Sequence, residues 1–140
     1  MALLTARNHE QVLPPLSAGA SLCPKNVIDS GGEVVGTLVD VLLDLERGCI
    51  AYAVVASGGF IGLGERLFAV PWSALRAADA NMVLEESRGV LESGPAFDKE
   101  NWPLALAQSW HERVHAHFHS RPYWEAIRSD AAEARPQSLP

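Results

Sequence analysis

Along residues 25–57 the hydrophobic and polar positions fall into a pattern that is hard to read two ways. Val35, Thr37, Val39, Val41, Leu43 and Leu45 occupy every second position, with Gly36, Asp40 and Asp44 between them. A period of two with β-branched enrichment predicts a long half-buried strand, one face toward the core. Before it, Val27-Ile28 runs into Asp29-Ser30-Gly31-Gly32, a cluster of turn residues. After it, "LERGC" supplies a short loop with Gly48 placed for a left-handed conformation, and Ile50 to Ala56 reads as the return strand of a hairpin.

The stretch "SGGFIGLGERLFAVPW" at 57–72 crowds Gly58, Gly59, Gly62 and Gly64 into seven positions. A phosphate-cradling loop leads from a strand into a helix. Here the exit, Leu67 to Val70, is strand-like and is broken by Pro71, and the spacing Gly59-x-x-Gly62-x-Gly64 is not G-x-G-x-x-G. The stretch therefore reads as a turn between neighbouring strands. Phe60, Ile61 and Leu63 inside it either fold back on the core or form an exposed apolar tip.

"WSALRAAD" is expected to make a short helical turn, "NMVLEES" (81–87) another strand, and Arg88 to Ser93 a turn or brief helix. "GPAFDKENWP" is an irregular, aromatic-bearing connection. Ser109-Trp110-His111-Glu112 has the S-x-x-E form of a capping box. The helix it opens puts Trp110, Val114 and Phe118 four apart on one docking face and should stop near Ser120, because Pro122 disfavours helix at Arg121. Tyr123-Trp124 is expected to anchor the tail. Residues 1–17 read as a flexible arm, 18–93 as the main domain, 94–125 as a connection plus helix, and 126–140 as a frayed end.

Consecutive antiparallel strands that must bury one face and protect their edges close most simply into a small barrel. At this point "NVIDSGGEVVG", "DLERG", "AYAVV" and "GGFIGLGERLFAVPW", followed by "FDKENWP" and "RPYW", strongly resemble the PRC-barrel domain family, over about residues 17–125. The "GGFxGxGxxLFxVPW" element is the most specific of these pieces. The last two are similar to the tail of small free-standing bacterial PRC-barrel proteins. The resemblance implies a mainly β fold, a six-stranded antiparallel barrel with a C-terminal helix packed on it, and a non-catalytic role in contact with another macromolecule. The photosynthetic reaction centre H subunit and ribosome-maturation factors carry the same domain. Neither the transmembrane helix of the one nor the second domain of the other is expected in this chain, so neither partner is expected to carry over.

Composition narrows the classes further. With 140 residues, 48% hydrophobic and 20% charged, the chain is sized for one domain with one core. A net charge of −6 argues against a partner bound through phosphates, although Arg113, Arg121, Arg128 and Arg135 gather near the C-terminus. No apolar run approaches the ~20 residues of a membrane span. The N-terminus has no signal-peptide core, and "SAGASLC" misses a lipoprotein cleavage site because Leu22 is too large before the cysteine. A cytoplasmic location is expected, with Cys23 and Cys49 as reduced thiols.

Candidate chemistry is thin. His111, His115 and His119 lie four apart, with His117 among them, and two histidines at that spacing can share one metal ion. His111 and His115 are the candidate metal pair. All three cannot converge, because eight residues rise about 12 Å along a helix. Asp40 and Asp44 are expected as solvated charge on the outward strand face, and Ser57 lacks a nucleophile's elbow. Trp72, Trp102, Trp110 and Trp124 read as core and docking anchors. The expected role is a non-catalytic, cofactor-free interaction module that self-associates, as a dimer, meeting its partner through Phe60, Ile61, Leu63 and Trp72. The alternative is a metal- or small-ligand sensor built on the histidine helix.

Overall fold

A computed structural model describes residues 12–58, 66–102 and 107–125. Among these residues seven strands form one sheet: β1 (Lys25–Ile28), β2 (Val34–Asp44), β3 (Cys49–Ser57), β4 (Arg66–Pro71), β5 (Leu75–Ala78), β6 (Asn81–Leu84) and β7 (Ala96–Phe97). Two helices accompany them, α1 (Arg88–Glu92) and α2 (Gln108–His117). The order across the sheet is β5-β6-β1-β2-β3-β4-β7.

The expected closed antiparallel barrel of six strands is corrected on three counts. The sheet has seven strands, β5 and β7 remain its edges, and β1 pairs with β6 in parallel through Val27 opposite Met82 and Ile28 opposite Val83. Pro71, which has no N–H to extend a ladder, ends β4, and a 3-10 turn at Trp72–Ala74 redirects the chain. Leu75–Ala78 then pairs with β6, so the helical turn expected through 79 is confined to its first three residues. Tertiary pairing overrides the helix preference of Leu-Arg-Ala-Ala.

The β2–β3 hairpin follows the sequence, with Gly48 at φ 69° in its loop. Gly32 and Gly58 are also left-handed, at φ 87° and 74°, whereas Gly31 is not. The glycine-rich segment joins β3 to β4, antiparallel neighbours with Ser57 opposite Arg66, so it does reverse the chain between strands. Gly59, Gly62 and Gly64 lie outside the described residues.

The strict alternation of β2 does not survive. Val35 is skipped in the register with β1, and Val39 in the register with β3. Val35 and Leu38 are buried, while Val39, Leu43 and Leu45 are 39, 56 and 84% exposed. One extra residue turns every later side chain to the opposite face.

β3 is buried from Ala51 to Ser57 because it is covered on both sides. Ala53 and Val55 belong to the main core with Val27, Leu38, Phe68, Val70, Leu84 and Leu91, which α2 closes with Val114 and Phe118. Val54 and Ala56 pack on the other side with Leu67, Phe97 and Trp102, so the aromatic connection serves as a lid. Close packing at Gly36 belongs to the same arrangement: a Cβ there would sit 2.7 Å from the Ala56 carbonyl oxygen.

α2 carries the expected Trp110/Val114/Phe118 face against the core but not the expected cap. Its N-cap is Ala107, without a side-chain bond, and Glu112 instead accepts from Gln108 Nε2 at 2.8 Å. It ends at His117. His119 adopts φ 55°, His119 N–H donates to Ala116 O and Ser120 N–H to His115 O, a Schellman closure that ends the helix before Pro122 is reached.

Candidate functional site

The polar and aromatic groups gather where the tip of the β2–β3 hairpin meets α2 and the segment around Tyr123. Tyr52, on β3, is the hub. It is 2% exposed, and its ring contacts those of Trp110, His111, His115 and Tyr123 at centroid distances of 5.9, 5.7, 5.3 and 5.8 Å. A buried phenol needs a partner for its hydroxyl. Burial raises the Tyr52 pKa, so the hydroxyl keeps its proton, and it is hydrogen-bonded with His111 Nδ1 at 2.7 Å.

His115 sits one helical turn on and is 1% exposed. Its Nδ1 lies 2.7 Å from the His111 carbonyl, which can only accept, so Nδ1 carries the proton. Its Nε2 accepts the Tyr123 backbone N–H at 3.1 Å. The ring is thereby fixed as one neutral tautomer. Burial lowers its pKa, against the opposing pull of the His111 carbonyl.

The third connection runs to the hairpin. Tyr123 Oη donates to Asp44 Oδ2 at 2.7 Å, and Asp44 also accepts from the Arg47 backbone N–H at 2.9 Å and from Arg47 Nη1 at 3.1 Å. The Tyr123 bond, then those from Arg47, hold the Asp44 carboxyl below its ordinary range. Tyr123 is pushed up to about 12, by burial first and by Asp44 second. Asp44 is therefore not the solvated strand charge expected of it; its side chain is 10% exposed and clamps residue 123 to the sheet. Asp40 is exposed.

A Tyr123→Phe variant is expected to lose about 1.5–2 kcal/mol, the usual size of a hydrogen bond to a charged group. Because the folded-state pKa of Asp44 is depressed, this stabilisation is complete above the ordinary carboxylate pKa and is lost as pH falls through the folded value. Thermal melts of parent and variant should converge in strong acid. A gap unchanged at pH 2 would assign the loss to packing instead.

The other sequence candidates fall elsewhere. His117 Nε2 donates to Val90 O at 2.6 Å and ties α2 to α1. His119 faces Glu86 at 3.2 Å. Neither joins His111 and His115, whose Nδ1 atoms, with His115 Nε2, are engaged in the bonds above; among the described residues no group of three metal-ligating side chains is assembled. For His115 to bind a metal, it would have to release Tyr123 or the His111 carbonyl. Trp72 is half-buried against the core. Phe60, Ile61 and Leu63 lie outside the described residues. Cys23 and Cys49 are free thiols whose pKa values are raised, chiefly by burial. Ser57 is buried, with its hydroxyl 2.6 Å from Val35 O and 3.1 Å from Glu92 Oε1.

Around this knot the surface is concave, with the hairpin leucines set among the charged Asp44, Glu46 and Arg47. A shallow depression of about 440 Å³ is lined by Leu42, Leu43, Leu45, Tyr52, His111 and Tyr123, among others. A second, of about 260 Å³, is lined by Arg47, Gln108, His111, Tyr123 and Trp124. They share His111 and Tyr123 as a common wall. The sequence signal for the knot was present but faint: Tyr52 is the one polar-tipped side chain inside an apolar run, and such a group announces a partner without saying which.

A family model described as PRC-barrel domain matches residues 15–91, more than half of the chain. No curated protein matches the sequence.

Proposed function

We propose, on the premise that this chain belongs to the PRC-barrel domain family, that it is a non-catalytic docking module which self-associates and presents its hairpin tip to partners. One observation carries the reading: Leu43 and Leu45 stand 56 and 84% exposed on the outer side of the β2–β3 hairpin. Large apolar side chains exposed at a strand end and its hairpin turn, as Leu43 and Leu45 are, make the anchors from which protein interfaces draw most of their affinity. Beside them, the hydroxyls, imidazoles and carboxylate that could do acid–base chemistry are committed to one another. The knot holds the tip's shape, and the leucines make the contact.

The glycine-rich segment with Phe60, Ile61 and Leu63 belongs to the same proposal as a second apolar contact. A net charge of −6 favours protein over nucleic acid as the partner. Among the described residues no helix is long and apolar enough to cross a membrane.

Two measurements test the reading. Light scattering of the purified protein should report a dimer at 100 µM, and a monomer there refutes self-association. Affinity capture from the native cell should recover a partner with the parent bait. Leu43→Asp and the pair Phe60→Asp/Leu63→Asp should each weaken that capture at least tenfold, the effect of losing one good anchor. Unchanged recovery with both variants removes the docking surface as drawn.

A further inference from the structure

Residues 12–18 precede the sheet without helix or strand, and they are unusually greasy for an exposed arm. Val12, Leu13 and Leu16 are 94, 71 and 97% exposed. Their sequence, Val-Leu-Pro-Pro-Leu, is conformationally narrow. Both prolines fix φ near −65°, and Leu13 and Pro14, each preceding a proline, are restricted to extended backbone. Ala18 stands at φ −72°, ψ 141°, the polyproline II value. The arm is thus a preformed, low-entropy ligand with apolar side chains, the kind that docks into aromatic-lined grooves.

Such a groove is present on the same molecule. The two depressions that flank His111 and Tyr123 have Trp124, Leu43 and Leu45 in their walls beside the acidic Asp44 and Glu46, and Arg47 at the rim offers guanidinium donors to a ligand's carbonyls. Two adjoining slots over a shared aromatic ridge suit a ligand that sets down successive apolar residues.

Chain direction brings the residues that enter β1 to the end of the sheet that carries the groove. β1 is antiparallel to β2 with Lys25 opposite Leu38, so the chain preceding Lys25 heads toward the Leu42–Leu45 end. Yet the arm's side chains stay in water, so the arm does not cover its own groove. A two-fold pair of molecules satisfies both surfaces at once, since each arm meets the other's groove.

We infer that the self-association proposed above proceeds by reciprocal arm exchange: Val12–Leu16 of one copy lies in the trough formed by Leu43, Leu45, His111, Tyr123 and Trp124 of a second copy. The inference rests on the self-association reading and names its contact.

Sedimentation velocity from 5 to 200 µM tests it with two exposed substitutions, Leu16→Asp on the arm and Leu45→Asp on the groove. Each should raise the dimer dissociation constant at least tenfold, with circular dichroism confirming an unchanged fold. An equimolar mixture of the two variants should dimerise more tightly than either alone, because one intact arm then meets one intact groove. A synthetic peptide of residues 10–18 should perturb tryptophan fluorescence and dissociate the parent dimer. A parent dimer indifferent to Leu16→Asp overturns arm exchange and leaves self-association standing. A parent monomer at 200 µM overturns both. Sensitivity to Leu16→Asp without sensitivity to Leu45→Asp, or without rescue on mixing, overturns the assigned groove.

Discussion

Replacing His115 by alanine is expected to remove about 3–5 kcal/mol of stability, the range for truncating a fully buried ring. The loss has two parts. A cavity opens beneath Tyr52 and Trp124, whose rings stand 5.3 and 5.5 Å from the imidazole. The Tyr123 backbone N–H also loses its acceptor, Nε2. Urea denaturation should show the midpoint lowered by about 2 M, given an m-value near 2 kcal/mol per molar. A loss under about 1 kcal/mol would mean the residue is not the keystone described.

The same residue gives the protein a pH dependence whose sign is fixed. His115 is held neutral in the fold, and its pKa there is depressed below the unfolded value of about 6.5. Between the folded and unfolded pKa values the unfolded chain binds the extra proton, so stability is greatest above about 6.5 and declines as pH falls. Protonation would put a hydrogen on Nε2 facing the Tyr123 N–H, donor against donor. His111 on the preceding turn disfavours the charge further, and Glu125 favours it. Melts at pH 7.5 and 5.5 should show the drop, and His115→Gln should flatten it. An equal slope in that variant would assign the effect to another group.

The second large effect is at Gly36. Its missing Cβ would lie 2.7 Å from a backbone oxygen and 2.8 Å from Val55 Cγ1, distances that real side chains do not reach. A carbonyl in the ladder cannot swing away as the end of a long side chain could. Gly36→Val is therefore expected to cost about 3 kcal/mol and lower the melting temperature by roughly 10 °C. Gly19→Ala, with open space around the added carbon, is the matched control and should leave the melt within a degree or two. Equal melts for parent and Gly36→Val would show that β2 and β3 separate at this point more readily than their packing implies.

How much of this could be read from the residues alone varies with the range of the interaction. The β2–β3 hairpin, the Asp29–Gly32 turn and the docking face of α2 rest on near neighbours, and the sequence shows them. The reversal between β3 and β4 was legible from glycine spacing and the strand-like exit. The fate of Val39 and Leu43 was not, because a skipped residue is decided by what the partner strand offers, and alternation carries no mark of it. The open edge at β5 was hidden for the same reason: local preference favoured a helical turn, and the vacancy beside β6 prevailed.

The knot was the least legible. A row of histidines at helical spacing suggested metal ligands, but one of them is core, and only the positions of Tyr52 and Tyr123, 63 and 8 residues away along the chain, decide which. Asp44 likewise looked like solvated charge until Tyr123, 79 residues later, reached it.

The parallel seam between β1 and β6 has a consequence for biosynthesis. Val27 and Ile28 acquire their neighbours Met82 and Val83 only after some fifty further residues have emerged from the ribosome. Until then β1 leaves one hydrogen-bonding edge open to whatever strand it meets, and contacts so distant along the chain form late. Translation speed across residues 29–81 should therefore govern how much newly made protein reaches its native state, read as soluble yield from slowed and unslowed reading frames.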